Sequence, residues 1–366
     1  MSNKAIVVAI THGDINGIGY EVMIKTLSDP RICEECTPVI YGSPKVAAYH
    51  RKALNMVNFN FNTIRELSEA TPGKVNIINT IDDNLRVELG KSTPMAGEGS
   101  ASALEAAMTD ILANRVGLLV TAPINKHNIQ SEAFPFPGHT EYLKEKAGGE
   151  DVLMIMVSEN MKIGVVTGHL PLRAVPDALT PELILAKIRL MNNSLRQDFG
   201  IRRPRIALLS LNPHAGDEGL LGDEEVQVIE PAMKLASDED ILVFGPYPAD
   251  GFFGAGSFAR FDGILAMYHD QGLAPFKALA FDTGVNYTAG LPFVRTSPNH
   301  GTAYDLAGKG EADENSFRQA IYLAIDIQRN RELFREINSN PLGSQGVDTA
   351  GGSEDLPAED NVTEAL

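Results

Sequence analysis

Lys162-Ile163-Gly164-Val165-Val166-Thr167, then Thr180-Pro181-Glu182 opening a long amphipathic run, then Arg205-Ile206-Ala207-Leu208-Leu209-Ser210-Leu211: this succession decides the fold class. The outer two segments are short and apolar, as strands buried on both faces must be. Between them Ile184, Ile188, Met191 and Leu195 share one helical face, with Thr180 placed as N-cap, Pro181 in the first turn and Gly200 as the stop. Strands separated by crossover helices predict an α/β protein, a mostly parallel sheet with helices on both faces. Working outward, further strands are expected at 5–11, 38–41, 74–78, 117–121, 152–157, 241–244 and 264–267. Leu104, Ala107, Met108 and Ile111 mark one more helix; Phe317, Ala320, Ile321 and Ala324 mark another, which closes the fold before residue 340.

At about 150 residues per domain, 366 residues correspond to two or three units or one large bilobed one. We take 1–339 as one bilobed catalytic domain. After it, 340–366 carry Asp348, Glu354, Asp355, Glu359, Asp360 and Glu364 with no Lys or Arg, so this stretch is expected to be a disordered acidic tail. The net charge of −17 disfavours nucleic acid and anionic membranes as partners, and any anionic ligand must be held by a few local cations. Two cysteines, Cys33 and Cys36, cannot staple such a chain and fit a reducing compartment. No apolar run approaches the roughly 18 residues of a membrane span, and the apolar stretch 5–10 is too short for a signal-peptide core. The expected location is the cytoplasm.

Three of the eight histidines stand just past predicted strands: His169, His214 and His269. The carboxyl ends of strands open onto the ligand crevice of doubly wound sheets, so three imidazoles converging there would suit a catalytic divalent ion with an open coordination place. The alternative is that each caps its own turn. Asp250 follows a further strand and would approach the same ion, act as a base, or stand solvated in its loop. A second constellation, His139, Thr140, Lys277, Asn286 and Arg295, supplies the charge-assisted donors that a phosphate needs. Gly13 to Gly19 forms a glycine-rich turn but lacks the dinucleotide spacing, Gly90-Lys91-Ser92 lacks the first P-loop glycine, and Cys33-Glu34-Glu35-Cys36 has no second pair. His12, His50, His127 and His300 have no partner pattern and are read as structural or solvated.

Thr121-Ala122-Pro123-Ile124-Asn125-Lys126, Pro137-Gly138-His139-Thr140-Glu141, Leu211-Asn212-Pro213-His214-Ala215-Gly216 and the run from Ala266 to Gly301 resemble the PdxA family, the 4-hydroxythreonine-4-phosphate dehydrogenases of vitamin B6 synthesis. The resemblance covers 5–337. It implies two α/β/α lobes like those of isocitrate and isopropylmalate dehydrogenases, an active site in the cleft between them, and a homodimer whose sites draw on both subunits. It also implies metal ligands at His169, His214 and His269, substrate contacts at His139, Thr140, Lys277, Asn286 and Arg295, and Asp250 beside the metal. The implied reaction is oxidation of 4-phosphohydroxy-L-threonine by NAD or NADP to 2-amino-3-oxo-4-phosphooxybutanoate, which loses carboxylate as CO2 to give 3-amino-2-oxopropyl phosphate. Asp250 and Lys277 are the candidate bases. Imidazole donors favour Zn or Co over Mg. The chain departs from the family pattern at Ile15, Asn16, Tyr20, Gly251 and Asn299. Rival readings are a sibling dehydrogenase of 4-phospho-D-threonate or 4-phospho-D-erythronate, a metal-dependent hydrolase or lyase, and a non-catalytic phosphate-binding protein.

Overall fold

A computed structural model describes residues 6–82, 85–132, 134–148 and 151–340. The expected acidic tail and the start of the first expected strand lie outside the described residues. Twelve strands form one sheet: β1 (Val7–Thr11), β2 (Thr37–Gly42), β3 (Asn62–Ile64), β4 (Asn76–Asn79), β5 (Leu118–Thr121), β6 (Leu153–Ser158), β7 (Met161–Thr167), β8 (Arg205–Leu209), β9 (Leu242–Tyr247), β10 (Gly263–Tyr268), β11 (Val285–Ala289) and β12 (Val294–Pro298). Their spatial order is β3-β4-β2-β1-β5-β12-β11-β6-β7-β10-β8-β9. Pairing is parallel from β3 to β12 and from β7 to β9. It is antiparallel between β12 and β11, β11 and β6, and β6 and β7. The antiparallel strands join two parallel halves into one continuous sheet.

Local chemistry explains the flanking helices. Thr180 accepts the Leu183 N–H at 3.1 Å, Pro181 opens Pro181–Gln197, and Ile184, Ile188, Met191 and Leu195 are buried against the sheet. Full burial of each such side chain contributes about 1.5–3 kcal/mol. Thr93 caps Pro94–Leu112, which buries Leu104, Ala107, Met108 and Ile111. The last described helix, Asn315–Asn338, buries Phe317, Ala320, Ile321 and Ala324. Among the described residues no helix is long and apolar enough to cross a membrane.

The turn after β1 presses on the turn after β5. Gly13 has φ +68°, and a Cβ there would lie 2.2 Å from the Pro123 carbonyl oxygen, so only glycine fits. Asn16, where the chain departs from the family pattern, is fully buried. Its Oδ1 accepts the Glu88 N–H at 2.7 Å, and its Nδ2 donates to Lys91 O at 2.9 Å and Thr93 Oγ1 at 3.0 Å. Tyr20, another departure, stacks between His12 and His50.

Candidate active site

The middle of the sheet walls a cavity of about 330 Å³. Thr121 and Lys126 come from β5 and the turn after it, Ser297 to Gly301 from the end of β12, Asn286 from β11, and Met154 and Met156 from β6. His169 follows β7, while His269 and Lys277 belong to the helix His269–Ala280 that follows β10. The first turn of the helix His139–Lys146 closes the cavity with His139, Thr140 and Glu141. That turn brings free amides and the positive end of a helix dipole to the site, as an anion requires.

Arg295 is the dominant charge. It is 3% exposed and donates from its two terminal nitrogens to Thr288 Oγ1 at 3.1 Å and Thr121 Oγ1 at 2.8 Å; its Nε is buried without a partner. Among the described residues no carboxylate lies within ion-pair distance of it. Burial lowers its pKa to about 10, with Glu141 acting weakly in the opposite sense. Burial, helped by Arg295 and Lys126, holds the His139 imidazole well below its ordinary value, so the ring is neutral. The Asn286 Oδ1 atom is also buried and unpartnered, an acceptor awaiting a donor.

His169 and His269 meet, with ring centroids 5.9 Å apart. His269 Nδ1 lies 2.7 Å from Asp270 Oδ1, and His169 Nδ1 lies 3.5 Å from Glu141 Oε1. A carboxylate on Nδ1 leaves Nε2 for a metal, so these two imidazoles fit part of the inner sphere of a divalent ion. Lys126 Nζ stands 3.4 Å from His169 Nε2. The His169 contact holds the Glu141 carboxyl below its usual range.

The expected convergence of three imidazoles is not seen within one chain: among the described residues no group of three His, Cys, Asp or Glu side chains could hold an ion. His214 follows β8, the neighbour of β10, but its loop runs through left-handed backbone at His214, Ala215, Asp217 and Glu218, and the ring is exposed outside the cavity. Asp250 lies farther off. It follows β9, the edge strand two places from β10 and about 10 Å away at the usual strand spacing, and it is exposed. Seven of the nine sequence-predicted positions therefore line one cavity: His139, Thr140, His169, His269, Lys277, Asn286 and Arg295.

Lys126, Glu141 and His300 were not anticipated as site residues. His300, expected to be structural or solvated, lines the cavity, with burial lowering its pKa. It stands two residues past β12, so the strand-end rule would have found it had that strand been recognised. His12 and His50 are buried and structural, as expected.

A family model described as "Pyridoxal phosphate biosynthetic protein PdxA" matches residues 34–324. A 4-hydroxythreonine-4-phosphate dehydrogenase of Bacteroides thetaiotaomicron is 55% identical over 357 residues, 97% of this chain and 98% of that protein. A protein of Oceanobacillus iheyensis named for D-threonate 4-phosphate is 38% identical over 332 residues, covering 89% and 99%. A solved structure of the Klebsiella pneumoniae 4-hydroxythreonine-4-phosphate dehydrogenase superposes with TM-score 0.78 at 35% identity, covering 89% of this chain and 99% of that one.

Proposed function

The chain belongs to the PdxA family, and from that premise we propose that it oxidises the secondary alcohol of 4-phosphohydroxy-L-threonine in pyridoxal phosphate biosynthesis, as a nicotinamide-dependent oxidoreductase. The observation that carries the reading is Arg295: a buried guanidinium without a carboxylate partner, in a cavity of a chain with net charge −17, is a built site for a small anion. Thr121 and Thr288 orient the guanidinium. The helix turn at His139 and Thr140 adds donors, and Lys126 balances the remaining charge of a substrate carrying phosphate and carboxylate.

Asn286 Oδ1 accepts a hydrogen bond from the substrate's amino group. Neutral His139 adds no positive charge beside Arg295 and contributes to anion binding only as a neutral hydrogen-bonding group. Of the two candidate bases, Lys277 lines the cavity and Asp250 does not, which favours Lys277 Nζ as the acceptor of the alcohol proton. His169 and His269 would hold a divalent ion through Nε2, with His214 as the third donor and Zn or Co preferred over Mg by the nitrogen ligands. When bound, the ion supplies Lewis-acid polarisation of the alcohol, and NAD or NADP supplies the hydride acceptor. Clamping both ends of the substrate holds the reacting carbon in one orientation for transfer. The β-keto acid product then loses CO2. A homodimer completes the site at the subunit interface. Free Cys33 and Cys36 fit the cytoplasm.

A second reading, oxidation of 4-phospho-D-threonate, is favoured by the relative from Oceanobacillus iheyensis. The two substrates differ at C2, an amino group against a hydroxyl. Following absorbance of the reduced nicotinamide with each substrate separates them. We expect kcat/KM to favour the amino acid by about tenfold, the margin by which a hydrogen bond from an ammonium group exceeds one from a hydroxyl. A preference for the sugar acid would replace the assignment, and phosphate release without cofactor reduction would make the protein a hydrolase.

A further inference from the structure

The three strand ends that precede His169, His269 and His214 belong to β7, β10 and β8, adjacent and mutually parallel. The ladder between β10 and β8 ends at Leu265 opposite Leu208. Past that pair the side chain of Gln271 links the two strands. Its Oε1 accepts the Met267 N–H at 2.7 Å and its Nε2 donates to the Ser210 carbonyl at 2.6 Å, so its carboxamide replaces the missing peptide rung. Gln271 is 8% exposed, while Met267 and Ser210 are at 0% and 1%.

The contact continues on both sides. Thr167 Oγ1 donates to the Met267 carbonyl at 2.7 Å, tying β7 to β10. Beyond Ser210, the N–H groups of Leu211 and Asn212 both donate to Glu225 Oε1 at 2.8 Å, and Glu225 is itself buried. One buried line of hydrogen bonds thus runs beneath the residues leading to all three histidines. Gln271 is its only member here that bonds to two strand ends at once, and it sits two residues after His269 in the same helix.

We infer that Gln271 is a positioning residue that fixes the turn carrying His269 against the end of β8, from which the His214 loop departs. The inference rests on the reading that these imidazoles take a divalent ion. Gln271 touches no ligand; it acts by holding two backbones that would otherwise separate.

The test is a Co2+ titration of the full-length protein, followed by visible absorption, with urea unfolding measured in parallel. Gln271→Leu removes both bonds; Gln271→Glu keeps the acceptor for Met267 and loses the donor to Ser210, so either variant alone suffices if the other does not fold. Both should bind Co2+ roughly 10- to 100-fold more weakly than the parent and show altered d–d bands. Tyr41→Phe, which removes the bond from Tyr41 to Asp110 in the other half of the sheet, should lower the urea midpoint without moving the Co2+ spectrum. Parental Co2+ affinity and bands in the Gln271 variants, with binding lost in His269→Ala, would overturn the positioning role. Parental binding in His269→Ala would instead overturn the imidazole reading beneath it.

Discussion

Replacing Arg295 by methionine should lower kcat/KM by about 100- to 10,000-fold and, in the same protein, raise the urea midpoint. Two charge-assisted hydrogen bonds to an anionic substrate are worth roughly 1.5–3 kcal/mol each, and about 1.4 kcal/mol is a factor of ten. The stability change has the opposite sign because the cavity holds a cation that is 3% exposed and has, among the described residues, only two threonine hydroxyls as hydrogen-bond partners. Desolvating an unpaired charge costs more than two neutral hydrogen bonds return, and methionine of similar length removes that cost. Inorganic phosphate should correspondingly stabilise the parent protein and not the variant. Steady-state kinetics and paired urea titrations read both halves. A variant that is active, or inactive but less stable than the parent, contradicts the assignment of Arg295 as the anion anchor.

Acid should unfold the protein well before its carboxylates titrate. His12 and His50 are 0% and 3% exposed and stack on either face of Tyr20, at centroid distances of 5.2 and 5.1 Å. Burial lowers each from 6.5 to about 4; His50 is partly compensated by Ile15 O, which its Nε2 contacts at 2.9 Å, and by Glu21. A histidine whose folded pKa lies below its unfolded value stabilises fully above the unfolded value, and that contribution drains away as pH falls through the interval. The window here is pH 6.5 to 4, and each ring loses roughly 3 kcal/mol across it. Together they approach the whole stability of an ordinary domain. His139 shifts in the same direction and adds to the effect. Urea midpoints measured from pH 7 to 4 should fall steeply, and His50→Phe should flatten the slope. A midpoint flat down to pH 4.5 would contradict the buried, neutral state of these rings.

The strands that sequence reveals are those whose apolar residues face a core. β1, β2, β5 and β10 read as continuous hydrophobic runs because helices cover both faces. β11 and β12 do not, and neither was expected. They carry Asn286, Thr288, Arg295 and Ser297 at the centre of the sheet, where one face meets the cavity instead of a helix, so the residues that serve a ligand erase the pattern that marks a strand. β3 escapes for a different reason: three residues at an edge bury too little to leave a pattern.

The strand-end rule had the same mixed success. It brings His169 and His269 to one cavity because β7 and β10 are adjacent, whereas strand order, which periodicity does not encode, puts β9 and the Asp250 that follows it at the edge of the sheet. It also applies to His12, directly after β1, yet the Gly13 contact with Pro123 seals that ring into the core. Lys126 gave no signal beyond its membership of a motif. Its role comes from a turn that closes on the cavity from a strand in the other half of the sheet.

Turnover of 4-phosphohydroxy-L-threonine by the full-length protein, followed as nicotinamide reduction before and after chelation, tests the central claim most directly. Reduction that needs the phosphorylated substrate, disappears on chelation, returns with Zn2+ or Co2+, and is absent from His269→Ala at every metal concentration is the predicted result. Reduction that persists unchanged in the chelated protein, or in His269→Ala, would contradict it.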